Sequence, residues 1–325
     1  MSSKRATVIG WTGGGRREDL RDSAGYVLAD RRINGRLRDS GDVLTIEGPE
    51  PLSVAVAIRN MPGVAWIAAG RSGDSLAELK VAARGLAEAY VRARDTFVVL
   101  PEGQTHREAS DLGGSLTSHI LETVKGSRVS VESPDVVFRA SFDGRKGAVG
   151  VEVETGPGGV PTATEEVACL VSGGIHSSVM AWLAFLQGFR VTLVHVDTGE
   201  TGIRAVASLY SELSNRGDPR WLKLEVLRGG SFFKTLSDYA RGSKVPVFAG
   251  FSRTGGNRPR PVPNTTAPLY LMPEERFLSE FDRLGLRSTE ADTDWERKDR
   301  GAPSLRRFGG KRADMSAVLD GLTNT

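Results

Sequence analysis

The stretch from Glu166 to Gly199, E-V-A-C-L-V-S-G-G-I-H-S-S-V-M-A-W-L-A-F-L-Q-G-F-R-V-T-L-V-H-V-D-T-G, constrains this chain more tightly than any other. Ala168 to Val171 is a continuous apolar run, the pattern of a parallel strand covered on both faces. Ser172-Gly173-Gly174 follows, and then a helix carrying Val179, Trp182, Leu183 and Leu186, stopped by Gly188. Val191 to Val196 is the next strand. Strand, helix and strand in this order form a βαβ unit, which predicts a parallel sheet with a right-handed crossover. Ligands of such sheets sit beyond the C-terminal strand ends. The loop from Ser172 and the segment His195-Val196-Asp197 both fall there.

Small residues at 172–174 let backbone N–H groups approach an anion, Ser177 can add a hydroxyl, and the following helix presents its positive end. That favours phosphate or pyrophosphate. The lysine-bearing G-x-x-x-x-G-K-[ST] loop is absent. A tight strand-to-helix turn with no ligand is the competing reading of the same residues.

Upstream, the first seventy or so residues read as a small α/β unit. Thr7–Trp11, Asp42–Glu47 and Val64–Ala69 are strands, a charged helical segment runs from Arg17 to Arg36, and Pro51 opens a helix carrying Val54, Val56 and Ile58. This order suggests a ferredoxin-like module. Thr12-Gly13-Gly14-Gly15 reads as a plain turn sooner than as a phosphate loop. From Ser75, a plausible helix N-cap, to Gly150 lies a second unit. Leu76, Leu79, Ala83, Leu86 and Tyr90 share one helical face, and Leu112, Leu116, Ile120 and Val124 another. Thr96–Leu100, Val129–Val131, Val136–Phe142 and Ala148–Val153 are its strands. Lys80, Arg84, Arg92, Arg94, Arg107, Lys125, Arg128, Arg139, Arg145 and Lys146 thread it, either as a solvated face or as an RNA contact.

Downstream, Ser231–Ala240 and Met272–Leu284 are expected helices and Val245–Ala249 a strand. Between them 250–267 is a basic loop with Arg253, Arg258 and Arg260 and no acidic residue. The tail beyond Arg287 mixes both charges and reads as partly disordered.

With 39% hydrophobic and 26% charged residues, a core can form without staples. A single cysteine, Cys169, allows no intrachain disulfide, and no Cys/His cluster suggests zinc or another metal site. No apolar run approaches the length needed to span a bilayer, and the N-terminus lacks a signal-type core, so a cytoplasmic protein without membrane contact is expected.

The loop S-G-G-I-H-S resembles the S-G-G-x-D-S loop of the PP-loop ATP pyrophosphatases. The preceding G-P-G-G-V-P-T, Gly156 to Thr162, together with the strand V-A-C-L-V, resembles the junction in the ThiI family of tRNA 4-thiouridine synthetases. The resemblance implies an α/β chain: N-terminal ferredoxin-like (1–73) and THUMP (74–164) α+β domains, then a Rossmann-like parallel-sheet PP-loop domain (165–290) and a charged tail (291–325). It implies ATP and Mg²⁺ as cofactors and tRNA as a partner, recognised by shape and phosphates. An external sulfur donor protein and a second copy of the chain complete the expected partners. It assigns nucleotide contacts to Leu170, Val171, Ser172, Gly173, Gly174, His176, Ser177, His195, Val196 and Gly250. RNA contacts fall to Lys80, Arg84, Arg107, Lys125, Arg139, Arg253 and Arg258. His195 is implied by position, its backbone near adenine; a strand-end histidine facing solvent is the other reading of its side chain.

Three departures bear on catalysis, and no catalytic residue is assigned. His176 stands where the family has aspartate; it is no anion, though a protonated ring could touch phosphate. Paired cysteines for sulfur transfer are missing, and Cys169 reads as a small apolar strand residue. The later T-G-E-S-x-G-Q motif has only A-G-F-S-R-T-G-G-N, Ala249–Asn257, as counterpart: Gly250 and Ser252 match, the glutamine does not. Two functions are therefore carried: ATP-dependent adenylation of a tRNA uridine for 4-thiouridine formation, or RNA binding with a degenerate nucleotide pocket. A THUMP-linked methyltransferase is disfavoured, since neither a G-x-G-x-G loop nor an N/D-P-P-Y motif occurs.

Overall fold

Alternation within the first strand, β1 (Lys4–Trp11), already demands a covering layer: Ile9 and Val8 point to opposite faces and both are buried. In a computed structural model Ile9 packs against two helices, while Val8 joins Val43, Trp66, Ala68 and Ala148 on the other face. The structure describes residues 4–284, apart from 12–15, 41–42, 49, 103–105, 162, 164, 198, 230, 251–261, 263 and 270–271, together with 304–309. The chain divides into two units, Met1–Pro161 and Thr162–Thr325.

In the first unit β1 leads to α1 (Arg17–Asp30), β2 (Arg36–Ser40), β3 (Val43–Glu47), α2 (Pro51–Ile58) and β4 (Val64–Gly73). Then come α3 (Leu76–Tyr90), β5 (Thr96–Glu102), α4 (His106–Thr123), β6 (Arg128–Val129), β7 (Val136–Phe142) and β8 (Gly147–Gly158). All eight strands form one mixed sheet, ordered β2-β3-β1-β4-β8-β7-β5-β6. The antiparallel pairing of β4 with β8 makes the sheet continuous between the two halves of the unit. Its strand order β2-β3-β1-β4 arises from a β-α-β-β-α-β sequence, a split βαβ arrangement.

Sequence reading erred at α1. The helical segment expected to reach Arg36 stops at Asp30, and Arg36–Ser40 is an edge strand paired with β3. Charge on R-L-R-D-S hides that strand, since its partner is supplied by β3 and not by any apolar pattern of its own. Elsewhere local signals hold. Pro51 is the first residue of α2. Ser75 caps α3 by accepting from the Glu78 amide at 3.2 Å, while Glu78 Oε2 accepts from the Asp74 amide at 2.9 Å. Leu79, Ala83 and Leu86 are buried as their spacing predicts, but Tyr90 is half exposed.

The second unit runs β9 (Glu165–Leu170), α5 (Ile175–Leu186), β10 (Phe189–Val196), α6 (Glu200–Ser214), a 3₁₀ turn (Pro219–Trp221) and β11 (Leu222–Arg228). It continues with α7 (Phe232–Gly242), β12 (Val247–Ala249), α8 (Glu274–Leu284) and β13 (Ser304–Gly309). The sheet order is β12-β9-β10-β11-β13. Four strands are parallel, and β13 joins the β11 edge antiparallel. The tail expected to be partly disordered thus supplies a strand; the rest of it lies outside the described residues.

The apolar run of β9 is explained by burial on both faces. Val167, Cys169 and Val171 pack with α5 and α6, and Ala168 and Leu170 with α7. Trp182, Phe185 and Tyr210 are fully buried, each contributing on the order of 2–3 kcal/mol of transfer free energy. Helix α8 is latched to this core: Trp182 Nε1 donates to Glu280 at 3.1 Å, and buried Arg216 lies 5.1 Å from the Trp182 ring and donates to the Leu284 carbonyl. Sequence reasoning missed helix α6 and strand β11, although Val206, Leu209, Tyr210 and Leu213 fall on one helical face and Leu222, Leu224 and Val226 alternate with Lys223 and Glu225.

Candidate nucleotide site and nucleic-acid face

Strands β9, β10 and β11 are laid down in one direction across the sheet, and the chain then returns to place β12 on the far side of β9. The loop after β9 therefore sits where the strand order reverses, the position at which open parallel sheets bind ligands. Leu170 ends β9, and the Val171 amide extends the ladder by donating to the Val194 carbonyl at 2.9 Å.

Within the loop the hydroxyls are engaged with the backbone. The Ser172 amide donates to Ser177 Oγ at 3.2 Å, the Gly174 amide to Ser172 Oγ at 3.3 Å, and Ser177 and Ser178 hydroxyls both donate to the Gly174 carbonyl at 3.0 Å. Gly174 is the N-cap of α5 and supplies no side-chain cap, and the main chain at Gly250 packs against the first turn beside the Ser177 amide. His176 is the second residue of α5 and half-buried. The loop is thus an ordered strand-to-helix turn with a positive helix end and without a carboxylate at its tip.

Two glycines are required by geometry. Gly173 has φ +88°, and a Cβ there would lie 2.6 Å from the Ala205 Cβ of α6. Gly250, just after β12, runs so close to α5 that a Cβ would lie 2.5 Å from Ser177 Cα and 2.7 Å from its nitrogen. Gly250 is thereby set against the first turn of α5. Ser252, Arg253, Asn257 and Arg258 lie outside the described residues, as does 12–15.

His195 does not face solvent, which corrects that reading of its side chain. It is 0% exposed, and its Nδ1 lies 2.8 Å from the Val171 carbonyl oxygen. Two strands' ends are tied at the loop by this bond, because β10 carries the ring and β9 leads into Val171. Val196 is buried beside it. Sequence reasoning missed Arg228, at the end of β11, whose Nε lies 3.0 Å from Asp197 Oδ2; Asp197 Oδ1 also accepts from the Gly199 amide. Only the pairing of β10 with β11 brings that ion pair together.

Mg²⁺ prefers carboxylate, phosphate and water oxygens. Around the loop, position 176 offers imidazole, Asp197 is bonded to Arg228 and Gly199, and Glu200 is paired with Arg204. Among the described residues no group of three or more His, Cys, Asp or Glu could hold a metal. The described donor set does not fit a protein-held Mg²⁺. Cys169 is fully buried, and burial pushes its thiol well above the ordinary range, so it stays protonated.

The cationic candidates of the first unit separate into two kinds. Arg107 and Lys125 are exposed, and Lys80 is half-buried. Arg84 is exposed and paired with Glu88 at 3.0 Å. Arg139 is different: its guanidinium meets Glu152 at 2.8 Å and Glu102 at 3.4 Å, and lies 4.6 Å from the Trp66 ring centroid. Those partners compensate its charge and hold it on the sheet face.

Fold and site together define an α/β protein: a mixed eight-stranded sheet, and a parallel sheet with an anion-type loop at its switch point. Residues 162–247 match the profile of the family described as Thiamine biosynthesis protein (ThiI). A probable tRNA sulfurtransferase of Halobacterium salinarum is 28% identical over 190 residues, 56% of this chain and 48% of that protein. A tRNA sulfurtransferase of Pyrobaculum aerophilum is 35% identical over 99 residues, 30% of this chain and 19% of that protein. The crystal structure of a 4-thiouridine synthetase–RNA complex with bound ATP matches with a TM-score of 0.66 at 15% identity, covering 99% of this chain and 94% of that one. PH1313 from Pyrococcus horikoshii matches with a TM-score of 0.64 at 19% identity, covering 87% and 100%. The chain is ThiI-like, a distant relative of the tRNA sulfurtransferases. The match spans about half the length of the Halobacterium relative and 19% of the Pyrobaculum one. Among the described residues no helix is long and apolar enough to cross a membrane.

Proposed function

We propose that this chain binds tRNA through its first unit and ATP at the loop after β9, and adenylates a tRNA uridine for 4-thiouridine formation. The ferredoxin-like and THUMP reading of 1–73 and 74–164 belongs to this proposal, as does the PP-loop reading of 165–290. In the first step uracil O4 attacks the ATP α-phosphorus, the bond to the β-phosphate oxygen breaks, and pyrophosphate leaves. In the second, hydrosulfide released by an external donor protein attacks C4, the C4–O bond breaks and AMP leaves, and the proton of the sulfur passes to the ring N3 that was deprotonated on adenylation. The buried, protonated Cys169 supports an outside sulfur source.

The observation that carries the reading is the N-terminus of α5, which lacks a capping side chain, at the strand-order reversal, with the main chain at Gly250 packed beside it. Helix-end amides would hold the phosphates and stabilise charge developing on them. Exposed Arg107 and Lys125, with Lys80 and Arg84, are the proposed tRNA phosphate contacts. Arg139, held by two carboxylates and Trp66, is better read as structural.

One observation favours a second reading, RNA binding without turnover: His176 removes the loop carboxylate. Incubation with α-labelled ATP and unmodified tRNA separates the two. Release of AMP or labelled tRNA supports adenylation. Tight tRNA binding with neither product leaves the binding protein.

A further inference from the structure

Strand β8 changes its neighbours along its length. From Gly147 to Val151 it lies between β4 and β7, and its last pairing with β7 sets Val151 opposite Phe138. Beyond that point it follows β4 alone, with Glu152 opposite Ala68 and Glu154 opposite Ile67, which leaves Val153 as the extra residue of a β-bulge. A bulge bends and twists the strand that carries it. β8 thereby turns away from β7, while Val136 and Val137 stay paired with β5. The two strands part around an open cleft of about 570 Å³, lined by 135–137 of β7 and its approach, by 151–155 of β8 and by Tyr90 of α3. Facing the cleft, neither Val136–Val137 nor Glu152–Thr155 has a described strand partner, so both stretches present ladder donors and acceptors to it.

The side chains of the cleft are of two kinds. Val153 and Tyr90 are large apolar groups left 38% and 51% exposed. Asp135, Glu152 and Glu154 are carboxylates, and no lysine or arginine lines the cleft. Arg139 reaches Glu152 but also Glu102, and Arg59 reaches Glu154, so two guanidiniums stand against four carboxylates. In a chain of net charge +3 this is a locally negative surface, which repels nucleic-acid phosphate and attracts a cationic polypeptide.

We propose that the cleft takes up an extended segment of a partner polypeptide by strand addition. The main chain of that segment pairs with β8 at 152–155. Its side chains alternate between apolar residues, for the Val153 and Tyr90 surface, and lysine or arginine, for the carboxylates. Such docking requires neither ATP nor tRNA, so it stands or falls apart from the function proposed above.

The test is fluorescence anisotropy of a labelled hexapeptide, acetyl-(Lys-Val)₃-amide, titrated with the full chain. Two further peptides run beside it: (Glu-Val)₃, and (Lys-Val)₃ N-methylated at alternate amides, which keeps charge and side chains but loses a row of main-chain donors. Wild type should bind (Lys-Val)₃ at least about tenfold more tightly than either. Val153→Lys and Glu154→Lys should each weaken that binding about tenfold, whereas Asp22→Lys, exposed on α1, should change it by less than about twofold. Equal binding of the methylated peptide overturns strand addition. Equal binding of (Glu-Val)₃, or undiminished binding by the two cleft variants, overturns the assignment to this cleft. So does failure of folded wild type to bind (Lys-Val)₃ at peptide concentrations up to about 1 mM. If Val153→Lys does not fold, as circular dichroism would show, Glu154→Lys decides.

Discussion

The Nδ1 of His195 lies 2.8 Å from the carbonyl oxygen of Val171, and both residues are buried. A carbonyl only accepts, so Nδ1 carries the proton and donates. This bond ties the end of β10 to the first residue of the loop after β9. Replacing His195 with Leu leaves the Val171 carbonyl without that donor in a buried setting. We expect a loss of about 1–3 kcal/mol in chemical denaturation, together with weaker ATP binding. ATP affinity unchanged in a destabilised variant would show that the bond does not order the loop.

At Gly250 any side chain meets α5 backbone, which cannot yield as a flexible side chain does. Gly250→Ala is expected to lower stability by about 1–3 kcal/mol and to lower ATP affinity beyond the effect of His195→Leu. Isothermal titration beside urea melts checks this. An alanine variant indistinguishable from wild type in both would mean that the contact is looser than described.

Cys169 should be unreactive in the folded protein. Burial raises its thiol, so the nucleophilic thiolate is scarce at neutral pH and access is blocked. A thiol reagent such as DTNB should react slowly in buffer and rapidly in denaturant. Fast native reaction would place the sulfur within reach of a partner.

Asp135 accepts from the Thr96 amide and hydroxyl, both at 2.8 Å, and the backbone bond, then the side-chain bond, holds its carboxyl below the ordinary 3.8. A depressed acid stabilises the fold above its unfolded-state pKa. That contribution is complete above pH 3.8 and is lost as pH falls through the lowered folded-state value. Asp135→Asn should therefore flatten the acid limb of the stability profile below pH 3.8 and leave its neutral shape intact. Melting curves across that range are the measurement.

Two arginine and lysine sites should respond oppositely. Arg139→Ala strips partners from Glu102, Glu152 and Trp66 and should cost about 2 kcal/mol of stability. Lys125→Ala, at an exposed position, should leave stability unchanged. It should weaken tRNA binding and reduce the log–log salt slope by roughly 0.7–0.9. A Lys125 variant with unaltered slope removes that residue from the RNA face.

Much of the fold was legible because its signals are local. The strand Val136–Phe142, the helix start at Pro51 and the Ser75 cap depend on neighbouring residues, and the structure keeps them. So do the βαβ unit and the small-residue loop, whose order in the chain places them at a parallel sheet's C-terminal edge. Distance-dependent features were not legible. Arg36–Ser40 becomes a strand because β3 is there to pair with it, and β8 crosses to β4 to make one sheet of eight strands. His195 could equally have faced water until β9 and β10 were aligned. The approach of Gly250 to Ser177, and of Arg228 to Asp197, joins residues far apart in the chain, where no periodicity relates one to the other. Residue order prescribed the elements and the chemistry at the loop; burial and strand pairing, which act through space, chose which side chains hold it in shape.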